Sequence, residues 1–418
     1  MKNIFPHIKN LSIYGFGQLF NLVTPLLVVP YIIAVCGEEN FGKTAIAMAV
    51  SFFLIVFVDY GSDLIGTKEI AIHKGNQTKL NQIFCTTFGV KFIMLLLVFL
   101  ISVPVFFLVP FFKREYVLFL FSLTVIVGQF LNPMWFLQGI ENVKWITVIN
   151  LLSKSIYLIA VFGFIHKEED YIYVNLFWGL GMIISHIVLL ILILKKHSFN
   201  IMSITFSNVL SQLKEDFSLF WSQIFTSLQM YAPVALLGFF GGNLLAGQYK
   251  IIDQVIVIFK TYIFLFFNFV FPKVCFDVEN NTNTNNKLQN WRLFNGVNFV
   301  FIIISMVLVY IFANPIINYF NPKETKPLVD ALRFAVFIPI LLAVSIPLKQ
   351  LVLAYNFKRF YVQITMVMVV FNLVALFFMI QYFKLYSVLY ALVASDLLVI
   401  LFYLYCIRKQ IFLKPLDA

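Results

Sequence analysis

Within the apolar run from Asn243 to Pro272 stand Lys250, Asp253 and Lys260, three charged side chains in a segment long enough to cross a bilayer. On a helix turning about 100° per residue, these three fall with Gln254, Thr261 and Asn268 inside roughly a third of the circumference. Phe259, Ile263, Leu265, Phe266 and Val270 fall mostly elsewhere. A charge at the bilayer centre costs at least ~2.5 kcal/mol, so such residues face a bundle interior or a watery cavity. The stripe reads as one polar wall of a pathway for something charged. A Lys–Asp pair that only locks helices together is the bland alternative.

Other apolar segments carry charge as well. Thr147, Asn150, Lys154 and Tyr157 form one stripe, with Lys154 near mid-depth, and this makes it the second cavity cation beside Lys260. Asp59 and Asp63 are spaced one helical turn apart, so on a continuous helix they share a face and make a protonatable or cation-binding pair. Asp396 is the acid of the last apolar segment and serves either as a coupling-ion site or as a lysine's partner. Lys91 and Lys349 are weaker candidates, because long side chains near span ends can snorkel. Gln18 and Asn21 add polar groups to the first apolar segment.

Catalytic chemistry finds no constellation. His7, His73, His166, His186 and His197 are dispersed, without metal-ligand spacing, and His186 reads as a helix–helix hydrogen bonder. Cys36, Cys85, Cys275 and Cys406 lie far apart and suggest neither a metal site nor a disulfide framework. No metal and no cofactor is expected. The run Gly37-Glu-Glu-Asn-Phe-Gly42-Lys43-Thr44 matches the nucleotide-binding P-loop letter by letter. That chemistry needs a strand before the loop and a helix after it, with backbone N–H groups around the phosphates. Here a membrane span precedes the loop, and Glu38 and Glu39 repel phosphate, so the match is set aside.

The elements that must position these residues follow from composition. The chain has 418 residues, 61% hydrophobic, 12% charged, with a net charge of +11 and 51 Phe. A soluble protein has nowhere to hide that much apolar surface, so an all-α polytopic membrane protein is expected. The basic residues are scattered through short loops with no continuous patch, which argues against nucleic acid. Apolar runs of membrane-crossing length recur at about 11–36, 42–66, 83–110, 115–138, 145–165 and 172–194, then at 216–241, 244–272, 292–313, 328–355, 360–383 and 386–407. The first lies after Lys2 and Lys9, lacks a small-residue cleavage site, and reads as an uncleaved span. Lys and Arg gather on one side, at Lys68, Lys144, Lys195, Lys273, Lys287, Arg292, Lys358 and Arg408 among others, which puts both termini in the cytoplasm. Gln18, Asn21 and Pro25 in span one are spaced like Thr226, Gln229 and Pro233 in span seven, each followed by a Gly-containing connection. Two six-helix halves, 1–205 and 206–418, are the expected domains.

Several segments resemble the lipid-linked oligosaccharide flippases of the polysaccharide transporter family, the O-antigen flippases, within the superfamily that includes multidrug and toxin extruders. Asn21–Lys43 reads NLVTPLLVVPYIIAVCGEENFGK, like that family's Pro-rich span ending in Pro-Tyr before a Gly-x-x-x-aromatic-Gly connection. Val58–Ala71, VDYGSDLIGTKEIA, and Pro133–Trp145, PMWFLQGIENVKW, are similar to its Asp-aromatic-Gly and Trp-aromatic-x-Gln-Gly-x-Glu elements. Gly238–Lys250, ending in Gly-Gln-Tyr-Lys, resembles the start of the family's second half.

The resemblance implies two pseudo-repeated six-helix bundles opening alternately around a central cationic cavity, in the bacterial inner membrane. It implies an undecaprenyl-diphosphate-linked oligosaccharide as substrate, and a polysaccharide polymerase and chain-length regulator as partners. On this reading the chain is not an enzyme, and Lys154, Lys260 and Lys250 hold diphosphate or acidic sugars by charge-assisted hydrogen bonds. Gln18, Asn21, Asn150, Gln254 and Asn268 line the cavity. Without a nucleotide site, coupling to H+ or Na+ through Asp59, Asp253 or Asp396 is expected. A multidrug or metabolite cation antiporter of related fold is the alternative, disfavoured by the lysines. A membrane-embedded polymerase ranks below it, because the outer loops are short.

Overall fold

A chain in hydrocarbon must close every backbone hydrogen bond internally, and this chain does so with helices. The computed structural model describes residues 5–197, 199, 205–280, 284–322 and 326–409; the side chains of residues 5–16, 18–19, 143, 280 and 284–287 lie outside that description. Among the described residues there is no strand. Twelve long helices among the described residues follow the twelve expected spans. They are α1 Phe5–Cys36, α2 Glu38–Asp59, α3 Gln77–Leu108, α4 Tyr116–Phe130, α5 Val143–Phe164 and α6 Val174–His197. After these come α7 Phe206–Leu236, α8 Asn243–Asn280, α9 Thr284–Ile311, α10 Phe337–Ala354, α11 Lys358–Phe383 and α12 Tyr386–Ile407. Eleven helices are long and apolar enough to cross a membrane among the described residues, and the described apolar part of α1, Phe20–Cys36, is shorter.

Local sequence sets the helix ends. Asn76 caps α3, its side chain accepting from the Lys79 N–H at 3.1 Å, which satisfies one of the orphan donors of a first turn. Glu38 and Glu39 sit in the first turn of α2, and Lys195, Lys196 and His197 in the last turn of α6, each with the sign the helix dipole favours. Helix α2 stops earlier than its apolar run. Tyr60 and Gly61 both take positive φ, 43° and 82°, and turn the chain out of the helix. Asp59 is therefore the last residue of α2, and Asp63 lies in the turn beyond it. The expectation that the two carboxylates share one helix face is corrected: aromatic-Gly punctuation ends the helix between them.

Gly37 and Gly242 stand at corresponding connections, between α1 and α2 and between α7 and α8. Gly37 has φ 86° and ψ 161°, and Gly242 has φ 95° and ψ 165°. That region is essentially reserved for glycine. The two connections thus share a backbone conformation as well as their Pro-containing lead-in helices.

Packing divides the chain into Met1–Ala235 and Leu236–Ala418. Helix α7 belongs to the first unit by its contacts. The Tyr60 ring stacks on Phe220 at 4.4 Å, the Tyr60 hydroxyl donates to the Leu213 carbonyl at 2.8 Å, and Val209 and Ile224 join the same cluster. The two halves expected from the sequence, 1–205 and 206–418, divide ahead of this helix. In the second unit the core is built from Val270 and Val274 of α8, Leu348, Leu351 and Val352 of α10, Ile364 and Met368 of α11, and Tyr403 and Cys406 of α12.

Polar side chains tie the first unit together. His186 meets the Gly128 carbonyl through Nδ1 at 2.6 Å, and Asn175 donates to Ser122 Oγ at 2.9 Å and to the Thr44 carbonyl at 3.0 Å. The largest such tie is ionic. Lys91 on α3 is fully buried, with its Nζ 3.1 Å from Asp59 Oδ1. It donates to the carbonyls of Gln129 at 3.0 Å and Asn132 at 3.3 Å, while Gln129 Nε2 donates to Asp59 Oδ2 at 2.8 Å. Snorkelling is excluded for Lys91: its charge is neutralised inside the unit.

Removing one partner of such a pair leaves an uncompensated buried charge, whereas replacing both by apolar groups is often neutral. Lys91→Ala is expected to lower stability by ~3–5 kcal/mol, and Asp59→Leu with Lys91→Met to recover most of that loss. Thermal unfolding of the detergent-solubilised protein checks this, and an unchanged melting temperature in Lys91→Ala contradicts it.

Candidate functional site

The second unit gathers its charges on α8. Lys250 Nζ lies 2.8 Å from Asp253 Oδ2, one turn along the helix, and Lys260 Nζ lies 3.7 Å from Asp253 Oδ1, two turns on. All three side chains are partly buried. One carboxylate thus faces two ammonium groups, so these three side chains by themselves carry a surplus positive charge, which an ionised Asp396 on α12 offsets. The charge of Lys260 is also felt at Asp396 on α12. Asp396 is half-buried and has no ion pair or hydrogen bond among the described residues. Gln254 is half-buried on the same stripe, whereas Asn268 is exposed at its far end. Thr261 turns its hydroxyl back to the Val257 carbonyl at 2.8 Å, so its polarity is spent locally.

The first unit holds its cation differently. Lys154 Nζ sits 3.1 Å from the centroid of the Trp178 ring. Trp178 packs edge-on against Tyr157 at 5.0 Å and against Phe52 at 6.2 Å, and Phe52 lies 5.4 Å from Tyr231. No carboxylate pairs with Lys154 among the described residues. A ring face attracts a cation by ~0.5–2 kcal/mol. This site is therefore a lysine amine in an aromatic setting, with no carboxylate beside it among the described residues. Asn150, one turn earlier on α5, and Asn21 on α1 are half-buried. The Gln18 side chain lies outside the described residues.

The structure thus joins Lys250, Asp253 and Lys260 in one cluster of the second unit and ties Asp59 into the Lys91–Gln129 network of the first. Trp178 and Gln129 went unrecognised in the sequence. Neither has a signal along its own helix, because each acts on a residue of another element. The P-loop letters also resolve. Residues 38–44 are helical, so the motif contains one non-helical position and no cradle. Lys43 instead pairs with Glu115 at 2.8 Å and lies over the Tyr171 ring at 5.0 Å. Lys43→Ala is accordingly expected to leave nucleotide binding undetectable, as in the unaltered protein, and to lower stability by more than an exposed pair would, because the Lys43 and Glu115 side chains are only 19% and 22% exposed and Glu115 loses its cation. Isothermal titration with ATP and thermal unfolding measure the two. Saturable ATP binding that Lys43→Ala abolishes would revive the phosphate reading.

A "Putative O-antigen transporter" of Escherichia coli K12 is 25% identical over 247 residues, 59% of this chain and 60% of its own length. One of Shigella dysenteriae is 26% identical over 250 residues, 59% of this chain and 62% of its own. The match thus spans about three fifths of these relatives. Among solved structures, the inward closed conformation of the lipid II flippase MurJ superposes with a TM-score of 0.74 at 13% identity, covering 95% of this chain and 87% of that one. An inward-facing multidrug resistance MATE transporter of the MOP superfamily superposes with a TM-score of 0.69 at 14% identity, covering 98% and 99%. These two likenesses establish the fold. The profile of the polysaccharide biosynthesis protein family matches residues 7–274, so the chain is a multi-pass helical membrane protein belonging to that family.

Proposed function

We propose that the chain is a flippase that carries a polyprenyl-diphosphate-linked oligosaccharide, an O-antigen or similar surface-polysaccharide unit, from the cytoplasmic to the periplasmic leaflet of a bacterial inner membrane. The observation that carries this reading is the surplus of cations within the spans. Lys250 and Lys260 share one carboxylate, and Lys154 rests on a ring alone. A diphosphate supplies the missing negative charge through charge-assisted hydrogen bonds, worth about twice neutral ones. The lipid tail stays in hydrocarbon while the headgroup crosses. On this reading the chain acts as a transporter and not as an enzyme, working by alternating access, a reading that the fold shared with MurJ and MATE proteins supports. A polymerase and a chain-length regulator are proposed partners downstream. A cation antiporter of the same fold would need a net acidic site, opposite to the balance found at Lys250, Asp253 and Lys260.

For coupling, Asp396 is favoured over the other acids. Asp59 is engaged by Lys91 and Gln129, and Asp253 by two lysines, whereas Asp396 is half-buried and unpaired among the described residues. A proton or Na+ at Asp396 changes the charge seen by Lys260 and so its hold on an anion.

Two experiments test these assignments. In a strain lacking its own lipid-linked oligosaccharide flippase, Lys154→Ala with Lys260→Ala should abolish surface polysaccharide at unchanged membrane levels of the protein, and the paired Arg variants should retain part of it. Wild-type polysaccharide in the double Ala variant would rule out a substrate role for both lysines. In proteoliposomes, Asp396→Asn should transport at a rate that no longer responds to an imposed H+ or Na+ gradient. A gradient response equal to that of the unaltered chain would move coupling elsewhere.

A further inference from the structure

One lysine of the second unit has no place in the sites above. Lys349, on α10, is half-buried, with its Nζ 4.8 Å from the centroid of Tyr361 and 5.3 Å from that of Phe267. Phe267 is braced in turn by Phe271, stacked on it at 5.1 Å and 14°. The ion pairs of this unit go to Asp253 and Asp330, and among the described residues Lys349 has neither a carboxylate nor a hydrogen-bond acceptor. A lysine ammonium has three donors and no acceptor. Ring faces hold its position but cancel none of its charge, in contrast with Lys91, which Asp59 neutralises.

Its place along the unit is informative. Phe267 follows Lys260 by seven residues, and Lys260 follows Asp253 by seven, so one face of α8 presents the acid, the cavity lysine and the ring that holds Lys349. Phe267 lies two turns beyond Lys260, roughly 10 Å along the axis. Tyr361 is in the first turn of α11, two residues after Arg359 and three after Lys358. Lys273, on the last third of α8, is likewise held over a ring, that of Phe294, at 5.1 Å. This end of the unit is therefore basic, and by the distribution of Lys and Arg it is the cytoplasmic end.

We propose that Lys349, clamped by Tyr361 and Phe267, is an entry station for the diphosphate of a polyprenyl-linked ligand, which takes the anion at the cytoplasmic end of the unit before Lys260 receives it two turns deeper along α8. The assignment rests on the flippase reading. It gives the headgroup a route along one helix face. A doubly charged diphosphate is held first near the interface, where desolvation costs least, and then in the span. The rings keep the lysine extended toward the ligand without an internal anion that the ligand would have to displace.

The test uses the full chain in lipid nanodiscs, with a polyprenyl diphosphate and the matching polyprenol as probes. Amine-reactive footprinting read by mass spectrometry should show Lys349 protected by the diphosphate and unaffected by the polyprenol. Lys349→Met should weaken diphosphate affinity by at least about tenfold, and Lys349→Arg by much less, since the charge-assisted contact is lost only in the first. Protection of Lys260 with equal labelling of Lys349 in the presence and absence of diphosphate overturns the entry station and leaves the flippase reading standing. Protection of Lys349 by the polyprenol as well as the diphosphate also overturns it, because the contact is then with the tail. Protection of neither lysine, with equal affinity for both probes, overturns the flippase reading together with this inference. Should Lys349→Met fail to fold, the footprint of the unaltered protein decides the matter alone.

Discussion

Every charge placed in hydrocarbon has to be answered by something, because the bilayer interior offers no water to do it. This chain answers its span charges in three ways. Lys91 and Asp59 cancel each other at 3.1 Å, with Gln129 and two carbonyls completing the shell. Lys250 and Lys260 divide one carboxylate between them. Lys154 and Lys349 are answered by aromatic faces, which hold a cation in place without neutralising it. The first arrangement is complete within itself and reads as architecture. The other two leave lysines without a carboxylate each, and a ligand carrying two phosphates is the complement proposed for them.

That sorting changes how variants are to be interpreted. A lost phenotype at Asp59 or Lys91 reports first on folding, because an orphaned ion in a packed unit is destabilising on its own. A lost phenotype at Lys154 or Lys349 removes only a ring contact of ~0.5–2 kcal/mol, so it reports more directly on function. The coupling ion, if Asp396 receives it, acts on a lysine already loosely held at 3.7 Å from its partner, where a modest change in local charge matters.

Much of this was legible in the sequence, and the reason is periodicity. The spans follow from apolar runs, and the α8 cluster follows from spacings of three and seven residues, which fix neighbours on a single helix. What lay between helices was not legible. Nothing along α3 marks Lys91 as the partner of Asp59 on α2, and nothing along α5 marks Trp178 on α6 as the seat of Lys154. Hydropathy also ran α2 on through Tyr60 and Gly61, because it registers apolar content and not φ. The P-loop letters at Gly37–Thr44 misled in the opposite direction: the residue types were right, but a helix starting at Glu38 leaves no loop to hold a phosphate.

Span cations that serve an anionic lipid headgroup should act on a diphosphate lipid and not on a cation. Reconstituting the purified chain in proteoliposomes and following, side by side, a polyprenyl-diphosphate-linked oligosaccharide and a lipophilic cationic dye tests this. The diphosphate lipid should change leaflets while the dye gradient stays untouched. Extrusion of the dye with no movement of the lipid would overturn the proposed role of the lysines.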